Sequence, residues 1–184
     1  MLVSIVYDSG YGHTKKQAEA AAKGVERVTG AKARLIAVGT DEISWDALAE
    51  SDALIFGSAT YNGTVSARLK QFMEDATRTA WTPMAWRNKV AAGFTNSGAQ
   101  NGDKLNSLIT MALFAAQHGM LWVGLDLFPG RGPNELNRLG SWLGAMAQSD
   151  DVSPDISPIT SDLETAAYLG QRVAEQVSRL TPAA

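Results

Sequence analysis

The chain has 184 residues, 45% of them hydrophobic and 19% charged, with a net charge of −3, two histidines and no cysteine. This composition excludes disulfides, thiolate metal sites, iron–sulfur clusters and cysteine nucleophiles, and it offers no basic stripe for a nucleic-acid backbone. With no apolar run near the roughly 20 residues that a membrane span requires, and no secretory signal at the start, the expectation is a soluble cytoplasmic protein of one domain, 1–184, with neither metal, membrane nor nucleic-acid partner.

The chain opens on an apolar, β-branched run, residues 2–7, that stops at the turn-prone Asp8-Ser9-Gly10 and reads as a first strand. From Thr14 to Val28, Ala18, Ala21, Ala22, Val25 and Val28 recur at helical spacing and Gly30 closes a first helix. Residues 33–38 and 52–57 read as the second and third strands, with a short turn of helix near Trp45 to Ala49 between them. A helix over 66–80 carries Leu69, Phe72, Met73 and Ala76 on one face, residues 90–94 read as a buried fourth strand, and a helix runs from Asp103 to Gln117. Residues 120–125 give a fifth strand. The sequence then loosens through Pro158, and an amphipathic helix over 162–180 ends the pattern.

Five strands alternating with helices predict an α/β fold: a doubly wound parallel sheet with helices on both faces. In strand order 2-1-3-4-5 a ligand sits beyond the carboxyl ends of the strands, where the loops after the first, third and fourth converge.

The first of these loops, Ser9-Gly10-Tyr11-Gly12-His13-Thr14, offers two hydroxyls, two glycines and the unpaired N–H groups of a helix start, which suit a phosphomonoester without any basic residue. The same residues equally suit a plain helix cap and turn. The loop is no P-loop, which needs Gly-Lys-Ser/Thr. A dinucleotide fingerprint would need a third glycine at Lys15 and an acid near Val38-Gly39-Thr40. In the second loop, Ala59, Thr60, Tyr61 and Asn62 offer an aromatic face and backbone N–H groups to a flat ring. In the third, the small polar residues Thr95, Asn96, Ser97, Gly98, Ala99 and Asn101 let the backbone approach a pyrimidine-like edge, or simply precede a helix cap.

Together the three loops carry a resemblance. The chain resembles the flavodoxin-like NAD(P)H-dependent FMN reductases, in particular the tryptophan-repressor-binding-protein type of NAD(P)H:quinone oxidoreductase. Ser9, Tyr11, Gly12 and His13 match the family's Ser-x-Tyr-Gly-His phosphate grip. Gly57-Ser58-Ala59-Thr60 with the Phe72 to Asp75 region, Tyr61-Asn62-Gly63 with Leu69-Lys70, and Ala116-Gln117-His118-Gly119-Met120 match later motifs of that group. Ala59 stands where proline is usual, Tyr61-Asn62 replaces an Arg-Phe pair, and the segment between the second and third strands is shorter.

The resemblance implies an FMN oxidoreductase that passes electrons from NADPH or NADH to a quinone-like acceptor by a ping-pong, two-electron mechanism. It also implies a homo-oligomer, dimer or tetramer. A flavodoxin-type electron carrier without small-molecule turnover is the alternative. By the same resemblance His118 faces the flavin rim and Trp81 walls the nicotinamide or quinone pocket, itself or toward a neighbouring subunit. From the residues alone, His118 equally complements a helix C-terminal dipole beside Gly119, and Trp81 equally covers a core edge, as Trp86 does. The glycine-rich stretch 128–151 reads as a lid or flexible loop. Its Arg131 and Arg138 are either solvated or partners for a 2′-phosphate.

Overall fold

A computed structural model describes residues 1–180, so the last four residues of the expected domain, 181–184, lie outside the described residues. The elements follow as β1 Leu2–Tyr7, α1 His13–Glu26, β2 Lys32–Ala37, α2 Trp45–Glu50, β3 Ala53–Tyr61, β4 Thr64–Val65, α3 Ala67–Ala76, β5 Val90–Ser97, α4 Lys104–Gln117, β6 Leu121–Trp122, β7 Ala145–Gln148 and α5 Thr160–Leu180. The parallel strands lie in the order β2-β1-β3-β5-β6, which is the expected 2-1-3-4-5 sheet.

Side-chain alternation decides which face each strand residue covers. Val3, Ile5 and Tyr7 of β1, Ala53 and Ile55 of β3, and Val90, Ala92 and Phe94 of β5 share one core with α1 and α5. Val6, Leu54, Phe56 and Ala91 point the other way, into a core with α2, α3 and α4. Both faces are covered, which is why these strands read as continuous apolar runs.

Helices α1 and α5 approach each other through glycine. A Cβ on Gly170 would overlap the Ala21 carbonyl, and one on Gly24 would overlap that of Ala167. Only a residue without a side chain fits at either crossing. Gly170→Val is therefore expected to cost about 2–3 kcal/mol through overpacking and to lower Tm by roughly 5–10 °C, read by thermal unfolding. An unchanged Tm would show that the two helices are not held at this separation.

Three expectations are corrected. The third strand runs on to Tyr61 and turns back at once: Thr60 pairs with Val65 and Tyr61 with Thr64, closing a hairpin over Asn62 and Gly63. Both turn residues have positive φ, 49° and 85°, the geometry that Asn-Gly favours. The helix that starts at Ser66, whose hydroxyl accepts from the Leu69 amide at 3.2 Å, ends at Ala76 and widens into one turn over Thr77–Trp81. There Thr82 reaches back to the Thr77 carbonyl. The fifth strand is two strands. β6 pairs only with Val90 and Ala91, and β7 takes over the same edge against Phe94 to Ser97.

The stretch expected as a lid or flexible loop thus contains a sheet strand, with Ala145 and Ala147 buried inward. It is also fastened to α5. The Asn137 amide donates to Thr165 Oγ1 at 2.9 Å, and Arg138 grips Asp162 through Nε and Nη2 at 2.8 and 2.7 Å. Arg138 is therefore no mobile cation. Among the described residues, no helix is long and apolar enough to cross a membrane, and no group of three or more His, Asp or Glu side chains is placed to hold a metal.

Candidate functional site

The carboxyl ends of β1, β3, β5 and β7 surround a cavity of about 400 Å³, within the range of small-molecule sites. Its walls are Tyr11 and His13 after β1, Ala59, Thr60 and Tyr61 at the end of β3, Asn96, Ser97 and Gly98 at the end of β5, and Ser149 to Val152 after β7.

The first loop is held by one hydroxyl. Ser9 Oγ accepts from the amides of Gly12 and Lys15, both at 3.1 Å, which takes one free donor of the α1 start and leaves the Ser9 hydroxyl proton to donate elsewhere. His13 and Thr14 are the first helical residues, with no carbonyl four positions back to meet their N–H groups. Gly12 adopts φ 94°, and a Cβ there would come within 2.9 Å of Pro154 Cγ. The 149–155 segment thus leans on the loop. His13 Nε2 meets the Val152 carbonyl at 2.9 Å, and Lys16 pairs with Asp155 at 2.7 Å.

Beneath the cavity the three loops are tied by buried polar bonds. Asn96, 4% exposed, donates to Thr14 Oγ1 at 2.8 Å and Gln17 Oε1 at 3.1 Å, and accepts from Ser149 Oγ at 3.1 Å. Gln17 donates onward to the Thr95 carbonyl, and Thr60 Oγ1 bonds both Thr95 Oγ1 at 2.8 Å and Ser107 Oγ at 2.7 Å. A network satisfied at each member rigidifies what it joins. Tyr61 crosses toward the first loop, where a Cβ on Gly10 would lie 3.1 Å from its hydroxyl. Burial, with Tyr11 and Asp8 adding to it, raises the Tyr61 phenol above its ordinary pKa, so it is a neutral donor.

Of the expected cofactor residues, Tyr11, His13, Ala59, Thr60, Tyr61, Asn96, Ser97 and Gly98 line the cavity. Ser9, Gly10, Gly12 and Thr14 build the loop beside it, and the Thr14 and Thr95 side chains serve the buried network. Asn62 sits in the hairpin turn, Ala99 turns its carbonyl to Lys104 Nζ at 2.8 Å, and Asn101 borders a separate apolar groove with Leu105 and Trp142.

Neither expected catalytic residue reaches the cavity. Helix α4 starts by the β5 carboxyl end and descends, so His118 lies at the amino ends of the strands, 3% exposed. Its Nδ1 faces the Phe114 carbonyl at 2.9 Å, its ring stacks on Trp86 with centroids 4.7 Å apart, and burial lowers its pKa. Gly119, φ 68°, ends the helix as a left-handed residue, in keeping with a helix-end role for His118. Trp81 sits at the same pole on the turn after α3, 47% exposed. Trp86 is fully buried in the core, as expected.

The wall from Ser149 to Val152 lies outside the three loops to which the sequence points. Its signal in the sequence was the short alternation Ala145-Met146-Ala147-Gln148 running into Ser149.

Known proteins resemble this chain along most of its length. Residues 41–128 match the family described as NADPH-dependent FMN reductase. The chain is 40% identical over 178 residues, 92% of this chain and 93% of the relative, to the Flavodoxin FldP of Pseudomonas aeruginosa (strain UCBPP-PA14). It is 32% identical over 204 residues, 98% of this chain and 99% of the relative, to an NAD(P)H dehydrogenase (quinone) of Geobacter sulfurreducens. Its fold matches the crystal structure of a flavodoxin, WrbA-like protein from Agrobacterium tumefaciens, with TM-score 0.78 and 39% identity over 97% of this chain and 98% of that one.

Proposed function

Since the chain belongs to the flavodoxin-like NAD(P)H-dependent FMN reductase family, we propose that it holds FMN in the cavity and passes electrons from NADPH or NADH to a quinone-like acceptor. The observation that carries this reading is the convergence of the α1 start and the Asn96 to Gly98 wall on one cavity. An anionic group there meets backbone N–H groups and the Ser9 hydroxyl. The two lysines that follow the loop face acidic side chains, Lys15 that of Glu19 at 3.9 Å and Lys16 that of Asp155 at 2.7 Å.

Bound FMN supplies hydride acceptance and release; the chain supplies position and polarity. Ser9, Gly10, Gly12, His13 and Thr14 would hold the phosphate. Ala59, Thr60 and Tyr61 border the ring, and Asn96 to Gly98 meet its polar edge. Asp150 and Asp151 bring negative charge to the remaining wall. The donor binds and leaves before the acceptor takes the same place, which gives ping-pong kinetics. In a homo-oligomer, Trp81 is exposed enough for one copy to present it at another's acceptor side. Buried His118 is not. Zero cysteines suits the reducing cytoplasm.

Purified protein is expected to take up FMN with a visible flavin spectrum, to bleach with NADPH or NADH, and to recover colour with benzoquinone. Parallel double-reciprocal plots are expected as the acceptor is varied. A second reading, an electron carrier, is favoured by the 40% identical relative named a flavodoxin. FMN uptake with negligible oxidation of either nicotinamide would select it. A protein that takes up no FMN at micromolar concentration would sink both.

A further inference from the structure

Lys104 is a charged group that neither the fold nor the reading above requires. It is the first residue of α4, where a cation opposes the helix dipole, and it is 1% exposed. Burying an ammonium is costly unless each donor is used. All three are used on one loop: Nζ donates to Ser97 Oγ at 3.1 Å, to the Ala99 carbonyl at 2.8 Å and to the Gln100 carbonyl at 2.9 Å. Two residues of that loop, Ser97 and Gly98, form the cavity wall. The Ser97 carbonyl accepts from the Ser149 amide at 3.0 Å, so the lysine also steadies the join between two walls.

We propose that Lys104 is a positioning residue, whose buried charge and three hydrogen bonds hold the Ser97 to Gln100 loop in the shape that grips the flavin edge. The proposal rests on the FMN reading. The charged groups facing Lys104 are Asp162 of α5 and Arg138 of the segment before β7, which are bonded to each other. Burial brings the ammonium from 10.5 down to about 8, with Asp162 raising it and Arg138 lowering it further. A neutral amine keeps two N–H donors and no charge, so one loop acceptor is released on deprotonation. The loop grip therefore weakens as pH rises through about 8.

Fold stability moves the other way. An unfolded lysine ionises near 10.5, so the depressed folded value means that the buried ammonium costs stability below about 8, a cost that fades between the two values as pH rises. These opposite signs separate loop positioning from a purely structural role.

The test compares wild type with Lys104→Met by FMN fluorescence titration from about pH 6.5 to about pH 9.5. Amide hydrogen exchange of residues 97–102 and thermal unfolding are followed on the same flavin-free samples. Wild-type dissociation constants are expected to rise about tenfold through that range. K104M is expected to bind about tenfold more weakly at neutral pH, to show no such rise, and to exchange its loop amides faster. Binding by both proteins with the same pH profile, or unchanged loop exchange in K104M, would overturn the proposal alone. Absence of FMN binding by both overturns the cofactor reading and this proposal with it. Should K104M not fold, the wild-type exchange profile decides: protection of residues 97–102 that falls through about pH 8 supports the proposal, and protection that ignores pH overturns it.

Discussion

Replacing Gly12 by valine is expected to weaken FMN binding at least about 100-fold while leaving the fold intact. Gly12 has φ 94°, a conformation that a β-branched residue reaches only at a cost of about 1–3 kcal/mol. Its new Cβ would also meet Pro154 Cγ at 2.9 Å and Pro154 Cβ at 3.2 Å. Relief requires either the loop or the 149–155 segment to move. The first course breaks the bond from the Gly12 amide to Ser9 Oγ; the second displaces the wall of Ser149 to Val152. Each removes contacts on the side proposed for the phosphate, and a loss of about 2.7 kcal/mol corresponds to the expected factor. Gly30 has φ 79° with nothing within 4 Å of a Cβ and lies outside the cavity. Gly30→Val therefore carries similar strain without the clash and should leave FMN affinity unchanged. Fluorescence titration of both variants, beside the thermal unfolding of each without flavin, decides the matter. Affinity of Gly12→Val within threefold of wild type would overturn the assignment of the loop.

The second large effect is on stability. Asp162, 2% exposed at its side chain, accepts both Arg138 bonds and the Gln148 amide at 3.0 Å. Asp162→Ala leaves the Arg138 guanidinium, 15% exposed, without its partner. Removal of one partner from a buried pair costs about 3–5 kcal/mol, whereas replacement of both by apolar residues of similar volume is close to neutral. Asp162→Ala is accordingly expected to lower Tm by roughly 10 °C or more, and the double variant Asp162→Leu with Arg138→Met to recover most of that loss. Because Gln148 belongs to β7, the single variant should also loosen the wall after it. A double variant no more stable than the single one would show that the pair contributes net stability of its own.

Much of the architecture was legible because it rests on periodicity. The apolar runs of β1, β3 and β5 and the helical spacing of Ala18, Ala21 and Val25 are local patterns, and only a sheet covered on both faces accommodates them together. What escaped was set by pairing at a distance. Tyr61-Asn62-Gly63-Thr64 carries an Asn-Gly hairpin signal, but its partner strand, Thr64 and Val65, is too short to declare itself from sequence. Ala145 to Gln148 becomes a strand only because β6 leaves the β5 edge open beyond Ala91. Nothing local in the sequence marks Lys104, whose burial depends on the Ser97 to Gln100 loop folding over it.

By itself the sequence determined the alternation of strands and helices and, through the family motifs it carries, the class of ligand, since these follow from residues adjacent in the chain: an apolar run, a glycine turn, a helix start. Only the tertiary structure decided which side chains share the cavity. It joined Asn96 to Thr14, Gln17 and Ser149 across separate loops and set the end of α4, with His118, at the amino ends of the strands, away from the cavity. The physical reason is that a helix descending from the site sets its last residues at the opposite pole of the sheet, about 1.5 Å per residue away, and no motif spacing within the helix can bring them back.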